Sequence, residues 1–78
     1  MDEFDRHVLN FALTWEPFGG VSDDETFPEF GLSAQQLWTR FEEITTTQEQ
    51  RRPELSEWDA LLIDRARTFL LTQRRTAG

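Results

Sequence analysis

A short turn between two apolar residues constrains this fold more than any other feature of the chain. Gly31 suits the left-handed backbone position that follows many helix ends. Ser33 follows two residues later, and with Gln36 it forms a capping box, the pattern that begins a helix. The sequence therefore predicts two helices joined by a tight corner at residues 30–33.

Apolar residues recur at helical spacing on both sides of this corner. The expected fold class is all-α, a compact bundle of about four helices with a helix-turn-helix-like centre. The expected helices lie near residues 3–16, 23–30, 34–45 and 54–73. They form one domain over residues 1–73, followed by a flexible tail at 74–78.

Hydroxyl and proline residues predict where two other helices begin. Ser22 and Glu25 form a second capping box, ahead of the second helix. Pro53 fits the first turn of the fourth helix, and Ser56 is a competing cap. The sequence leaves both starts of the fourth helix open.

Helix-breaking residues predict where helices end. Pro17 should end the first helix, and Gly19-Gly20 should form a flexible connection. Pro28 lacks a backbone N–H, so the second helix should be short, distorted, or begin only at Thr26. The third helix should fade at Thr45–Thr47, because β-branched side chains are restricted in helices.

Each long helix has an apolar stripe that we expect to form the core. The expected stripe residues are Phe4, Val8, Phe11, Ala12, Trp15, Ala34, Leu37, Trp38, Phe41, Ile44, Leu55, Trp58, Leu61, Leu62, Ala66, Phe69 and Leu70. Four apolar residues fall on the other sides of their helices: Leu9, Leu13, Ile63 and Leu71. They are either ordinary exposed residues or the contact surface of a homodimer or of a partner groove.

Charge is distributed unevenly along the 78 residues, whose formal net charge is −7. Residues 1–50 contain eleven acids and two arginines, a net charge of −9. This balance disfavours nonspecific nucleic-acid binding, which needs cations that displace phosphate counterions. The chain has no Cys, no basic leader and no apolar run long enough to cross a bilayer, so we expect a cytoplasmic protein without disulfides or membrane association.

We expect no catalysis, no metal, no cofactor and no small-molecule substrate. His7 is the only histidine, and with Glu3 it offers two metal ligands where a site usually requires three or four. Asp23–Glu25 lacks the ligand spacing of a calcium loop. A bundle of this size also offers little room for a deep pocket.

The corner is similar to parts of known proteins. Its residues Phe30-Gly31-Leu32-Ser33, with Leu37 and Arg40-Phe41, resemble the turn and second helix of bacterial AraC-type and TetR-type regulators. A wider set resembles a family of small actinobacterial proteins of unknown function: Phe11-Ala12-Leu13, Trp15, Phe18-Gly19-Gly20, Glu25, Phe27 and the same turn. This resemblance spans residues 4–44 and implies a helix-turn-helix-like core, with no activity to carry over.

These features suggest a regulatory protein that binds DNA or a component of the transcription machinery. Gln reads adenine and Arg reads guanine through paired hydrogen bonds, so the third helix carries candidate base contacts. The candidate nucleic-acid contacts are Gln35, Gln36, Thr39 and Arg40 for bases, and Arg51 and Arg52 for phosphates. A dimer would double them. The alternative for these polar residues is simple solvation of a helix face.

An acidic protein-interaction module is the competing hypothesis. In it the helix-turn-helix is only scaffold, and carboxylates bind a basic surface of a partner protein, as in an adaptor or an inhibitor. The candidate residues are Asp23, Asp24, Glu25, Glu29, Glu42 and Glu43.

Overall fold

Four α-helices and one 3-10 turn make up the computed structural model, which describes residues 1–15 and 22–77, with side chains described to residue 72. The helices are α1 (Glu3–Trp15), α2 (Asp23–Phe30), α3 (Ala34–Gln50) and α4 (Glu57–Ala77), and the 3-10 turn is Arg52–Glu54. α1, α3 and α4 pack against one another, and α2 packs on α3. The described ranges contain no strand, so the expected all-α bundle is confirmed.

Three serine caps begin helices. The backbone N–H and the hydroxyl of Ser22 both donate to Glu25 Oε2 at 2.7 Å. Ser33 Oγ accepts from the Gln36 N–H at 3.1 Å, and Gln36 Oε1 accepts from the Ser33 N–H at 2.9 Å, so both predicted capping boxes are confirmed. Ser56 Oγ accepts from the Asp59 N–H at 3.2 Å. α4 begins at Glu57, directly after Ser56. Ser56 is therefore the start of α4 rather than Pro53, which lies in the 3-10 turn.

The corner between α2 and α3 has the expected conformation. Gly31 has a φ of 69°, and its N–H donates to the Phe27 carbonyl at 2.8 Å. α2 begins at Asp23 and continues through Pro28 to Phe30. Asp23 Oδ1 accepts from the N–H at the start of α3 at 2.7 Å, which ties the two helix starts together.

The core lies between α1, α3 and α4. Its fully or nearly fully buried apolar residues are Val8, Leu9, Ala12, Leu37, Phe41, Ile44, Leu62, Ile63 and Ala66. The expected outward position of Leu9 and Ile63 is wrong, because each of their helices packs against two others and therefore buries a wider face than one stripe. Leu13 is half-buried and Leu71 is exposed.

The rotation of α4 also differs from the sequence expectation. Trp58, expected in the core, is 82% exposed, and Leu61 is 50% exposed. The neighbouring Asp59 faces α1 instead, where Arg6 donates to both of its carboxylate oxygens. Asp59 thus lies on the buried side of α4 with Leu62, Ile63 and Ala66, and Trp58 lies in solvent.

The predicted end of α3 at Thr45–Thr47 is wrong. Thr45 is buried, and its hydroxyl donates to the Phe41 carbonyl at 2.8 Å, so it occupies a helical interior position without an unpaired polar group. α3 consequently continues to Gln50. α4 continues beyond the predicted end at residue 73 to Ala77. The predictions for Pro17 and Gly19-Gly20 lie outside the described residues.

None of the helices in the described part of the chain combines the length and the apolar character needed to cross a bilayer.

Trp38 of α3 stacks on Phe69 of α4, with ring centroids 5.2 Å apart and planes 15° apart. Because Trp38 turns one side of α3 toward α4, the opposite polar side of its first turns faces outward.

A candidate binding face on α3

An open depression of about 660 Å³ lies where the first turns of α3 meet the start of α1. Phe4 and Leu32 are its apolar residues. Its polar lining consists of Ser33, Gln35, Gln36, Thr39, Arg40 and Glu43. The structure thus brings the four candidate base contacts together in one depression, and we call this surface the α3 face.

The polar side chains of the α3 face differ in how many hydrogen bonds they already make within the protein. The Gln36 amide oxygen accepts a hydrogen bond in the capping box, which leaves its NH₂ group for a ligand. The Thr39 hydroxyl donates to the Gln35 carbonyl at 3.0 Å and keeps its acceptor capacity. The exposed Gln35 side chain has no hydrogen bond to the described residues. Gln35 is therefore the least committed donor and acceptor of the face.

Arg40 is the cation of the α3 face. Its Nη1 lies 3.5 Å from Glu43 Oε2, and its guanidinium carbon lies 5.9 Å from the centroid of the Phe4 ring. The charged groups of both ion-pair partners are at least half exposed, so the pair contributes little to stability and can exchange for a ligand. The stacking on Phe4 holds the guanidinium over the apolar part of the depression.

A partly buried carboxylate lies close to Arg40. Burial and the neighbouring Asp2 raise the pKa of Asp5, and the charge of Arg40 opposes that rise. Asp5 Oδ1 is buried and has no hydrogen-bond partner among the described residues. The charges of Asp5 and Glu43 thus partly cancel the positive charge of Arg40.

The two candidate phosphate contacts lie away from the α3 face. Arg51 caps the C-terminal end of α3, about 16 Å along the helix from Arg40 at 1.5 Å per residue. Arg52 donates from Nε and Nη2 to the Asp64 carboxylate, at 3.0 and 2.7 Å, and it lowers the pKa of Asp64. The structure therefore does not bring these arginines together with the candidate base contacts.

Most of the candidate acidic contacts already have partners within the fold. Asp23 and Glu25 accept the capping hydrogen bonds described above, and the capping bonds from Ser22 lower the pKa of Glu25. Glu29 Oε2 lies 3.1 Å from His7 Nε2. The exposed Asp24 has no such contact in the described ranges.

Glu42 and Glu43 line a second open depression, of about 360 Å³, together with Thr39, Thr46 and Thr47. This depression adjoins the α3 face, since Thr39 and Glu43 line both. The acidic surface formed by Glu42 and Glu43 is therefore continuous with the α3 face. A ligand on the α3 face would also meet these carboxylates.

His7 belongs to an aromatic cluster instead of pairing with Glu3. Its ring lies 4.7 Å from the ring of Phe30, which also contacts Phe4 and Phe11 edge to face. Within the residues that the structure describes, no group of three or more His, Cys, Asp or Glu side chains is placed to hold a metal ion. The cluster holds α1 against the corner and so fixes one wall of the α3 face.

Phe4 and Leu32 are the residues of this site that the sequence did not identify. Phe4 was expected in the core, yet it is 45% exposed. Its position at the first turn of α1, beside an acidic N-terminus, is the one signal that set it apart from the rest of the stripe.

Comparisons with protein-family models, with curated proteins and with solved structures found no match to this chain.

Proposed function

We propose that this chain is a non-catalytic regulatory module of the helix-turn-helix type, which binds a basic surface of a partner protein through the α3 face. One observation carries the proposal. The face combines uncommitted polar groups with an apolar floor, and its cation is surrounded by carboxylates. A basic side chain of a partner would meet Glu42 and Glu43, and an apolar one would meet Phe4 and Leu32.

The pairing of the arginines supports a protein partner over DNA. Six arginine side chains are described, and four of them lie within 4.0 Å of a carboxylate: Arg6, Arg40, Arg52 and Arg67. A DNA complex would have to replace such carboxylates with phosphates while the acidic first half of the chain repels the duplex. A basic protein surface faces no such repulsion.

DNA binding is the second candidate, and a separate observation favours it. Gln35, Gln36, Thr39 and Arg40 line one open depression on the first turns of α3, where a recognition helix contacts bases. A two-fold dimer would present two such faces to a duplex.

Two probes distinguish these candidates. Fluorescence anisotropy should be measured with a labelled random duplex and with a labelled peptide that alternates arginine and leucine, at low and moderate salt. We expect the peptide to bind, and Glu43→Gln to weaken it more than Glu54→Gln, a matched removal of an exposed acid in the 3-10 turn. We expect Arg40→Ala to leave peptide binding intact or to strengthen it.

The opposite pattern supports DNA. Duplex binding at low salt that weakens steeply as salt rises, and that is lost in Arg40→Ala, would replace the proposal with the second candidate. Equal effects of Glu43→Gln and Glu54→Gln on peptide binding would show that only net charge matters, and would count against the α3 face as the site.

A further inference from the structure

A second surface runs along α1 and α4. Two adjoining open depressions, of about 330 and 640 Å³, share Leu61 and Arg65 in their linings. The rest of their lining includes Arg6, Trp58 and Leu62 at one end and Leu13, Phe69 and Thr72 at the other. Together they form one groove that extends from Trp58 to Thr72, about 21 Å of helix.

One end of the groove exposes two large apolar side chains to solvent. Trp58 is 82% exposed, more than any other large apolar side chain that the structure describes as exposed. Leu61 is 50% exposed. The two residues are three apart and therefore adjacent on the surface of α4. Adjacent exposed apolar side chains mark a contact surface, and Trp is enriched among the residues that contribute most to binding.

The charges beside Leu61 are arranged symmetrically. Glu57 precedes Leu61 by four residues and Arg65 follows it by four, so all three lie within about 80° of one another around α4. No oppositely charged group of the described residues lies within 4.0 Å of either Glu57 or Arg65, although most other arginines in the described part are paired. Each charge is about 6 Å along the helix from Leu61.

We propose that this groove is the contact surface of a homodimer, in which two α4 helices pack antiparallel about a two-fold axis that passes near Leu61. The axis places Glu57 of each chain opposite the partner's Arg65. The dimer therefore contains two equivalent ion pairs, and each of these charges gains a partner. Trp58 of each chain then lies beside the partner's Leu61. A second copy of the chain supplies both the apolar and the charged complement of the groove.

Such a dimer requires a modest share of the molecular surface. A stable interface removes about 800 Å² from each partner, which is about a seventh of this chain's accessible surface of 5414 Å². The dimer surface uses α1 and α4 and leaves the α3 face open, so the dimer goes beyond the proposed function and does not depend on it.

The first test is the mass of the protein in solution, measured by light scattering and by sedimentation over a wide concentration range. We expect twice the 9.2 kDa of one chain at high concentration. Leu61→Asp should raise the dimer dissociation constant at least about tenfold, whereas Phe27→Asp should not. Phe27 is a matched control, because it is 52% exposed and lies on α2, outside the groove.

Charge exchange tests the proposed antiparallel arrangement itself. Glu57→Arg alone faces Arg65 twice, and Arg65→Glu alone faces Glu57 twice, so each variant should be monomeric where the parent is dimeric. An equimolar mixture of the two variants restores opposite charges at both ends, and we expect it to form a one-to-one heterodimer. Far-UV circular dichroism confirms that each variant is folded.

Three outcomes overturn the proposal. A parent chain that keeps a mass of 9.2 kDa at every concentration up to its solubility limit has no such dimer. A dimer that persists in folded Leu61→Asp uses another surface. A mixture of the two charge variants that stays monomeric rules out the pairing of Glu57 with Arg65.

Discussion

Arg6 on α1 donates two parallel hydrogen bonds to the carboxylate of Asp59 on α4, from Nε at 2.9 Å and from Nη2 at 3.0 Å. Asp59 is only 6% exposed, so its charge depends on Arg6 and on the N-terminal ammonium of Met1, which lies 3.8 Å from Asp59 Oδ2. The hydrogen bonds from Arg6 lower the pKa of Asp59, and burial opposes that effect. Two helices that are far apart in the chain are thus joined through one charged group in the interior.

Removal of this partner should destabilise the protein. Arg6→Met removes both hydrogen bonds to the buried Asp59 carboxylate and leaves the N-terminal ammonium, 3.8 Å away, as its charged partner. The urea midpoint should therefore fall further than in Arg51→Met, which removes an arginine without a carboxylate partner in the described ranges. The double variant Arg6→Met, Asp59→Leu should recover much of the loss, because it replaces the ion pair with apolar packing. Equal midpoints for the two single variants would contradict the structural role of the pair.

Acid should destabilise the protein through the same group. The folded-state pKa of Asp59 lies below the ordinary value of 3.8, so the unfolded chain binds protons at a higher pH than the folded chain does. The stabilisation is present above 3.8 and is lost as the pH falls through the folded-state pKa. Urea unfolding at a series of pH values should therefore show a steeper loss below pH 3.8 in the parent than in Arg6→Met, which lacks the hydrogen bonds that lower the pKa of Asp59 most.

Asp5 should behave in the opposite way. Its pKa is raised above 3.8 by burial and by Asp2, so the charged form destabilises the folded state at every pH above the folded-state pKa. Asp5→Asn should raise the free energy of unfolding at neutral pH, because the amide keeps the shape of the carboxylate and removes the charge that burial and Asp2 disfavour. The gain should vanish below pH 3.8, where both states of the parent are protonated. Stability that falls in Asp5→Asn at neutral pH would disprove this account.

Gly31 should tolerate side chains according to their backbone preference rather than their size. A Cβ at this position would meet nothing within 4 Å, but the φ of 69° is strained for most residues. Gly31→Ala should lower the free energy of unfolding by about 1 kcal/mol, measured by thermal or urea unfolding. Gly31→Asn should cost less, since asparagine adopts the left-handed conformation more readily. A larger loss in the asparagine variant would indicate a contact that the backbone angle does not explain.

Leu9 and Ile63 should be among the most sensitive positions. Both are 0% exposed, so their replacement by alanine should cost about 2–5 kcal/mol in urea unfolding. Leu71→Ala is the matched control, because Leu71 is 48% exposed and should lose under about 1 kcal/mol. If Leu9→Ala were as mild as the control, the packing of α1 against both α3 and α4 would be incorrect.

Local chemistry accounts for what the sequence predicted well. The capping boxes at Ser22 and Ser33 and the glycine at position 31 act within a few residues of themselves, so their effect can be identified without knowledge of the rest of the fold. The candidate residues on the first turns of α3 share one depression for the same reason, since helical spacing alone places them together.

The sequence by itself therefore determined the all-α class, the corner at residues 30–33 and the grouping of polar residues on α3. Only the tertiary structure decided which sides of α1 and α4 are buried, because each packs against two helices and its burial depends on their positions. It placed Asp59 in the interior with Arg6, and Trp58 consequently in solvent. It also paired Arg52 with Asp64, twelve residues away, and so removed a cation from the set that the sequence had offered for phosphate.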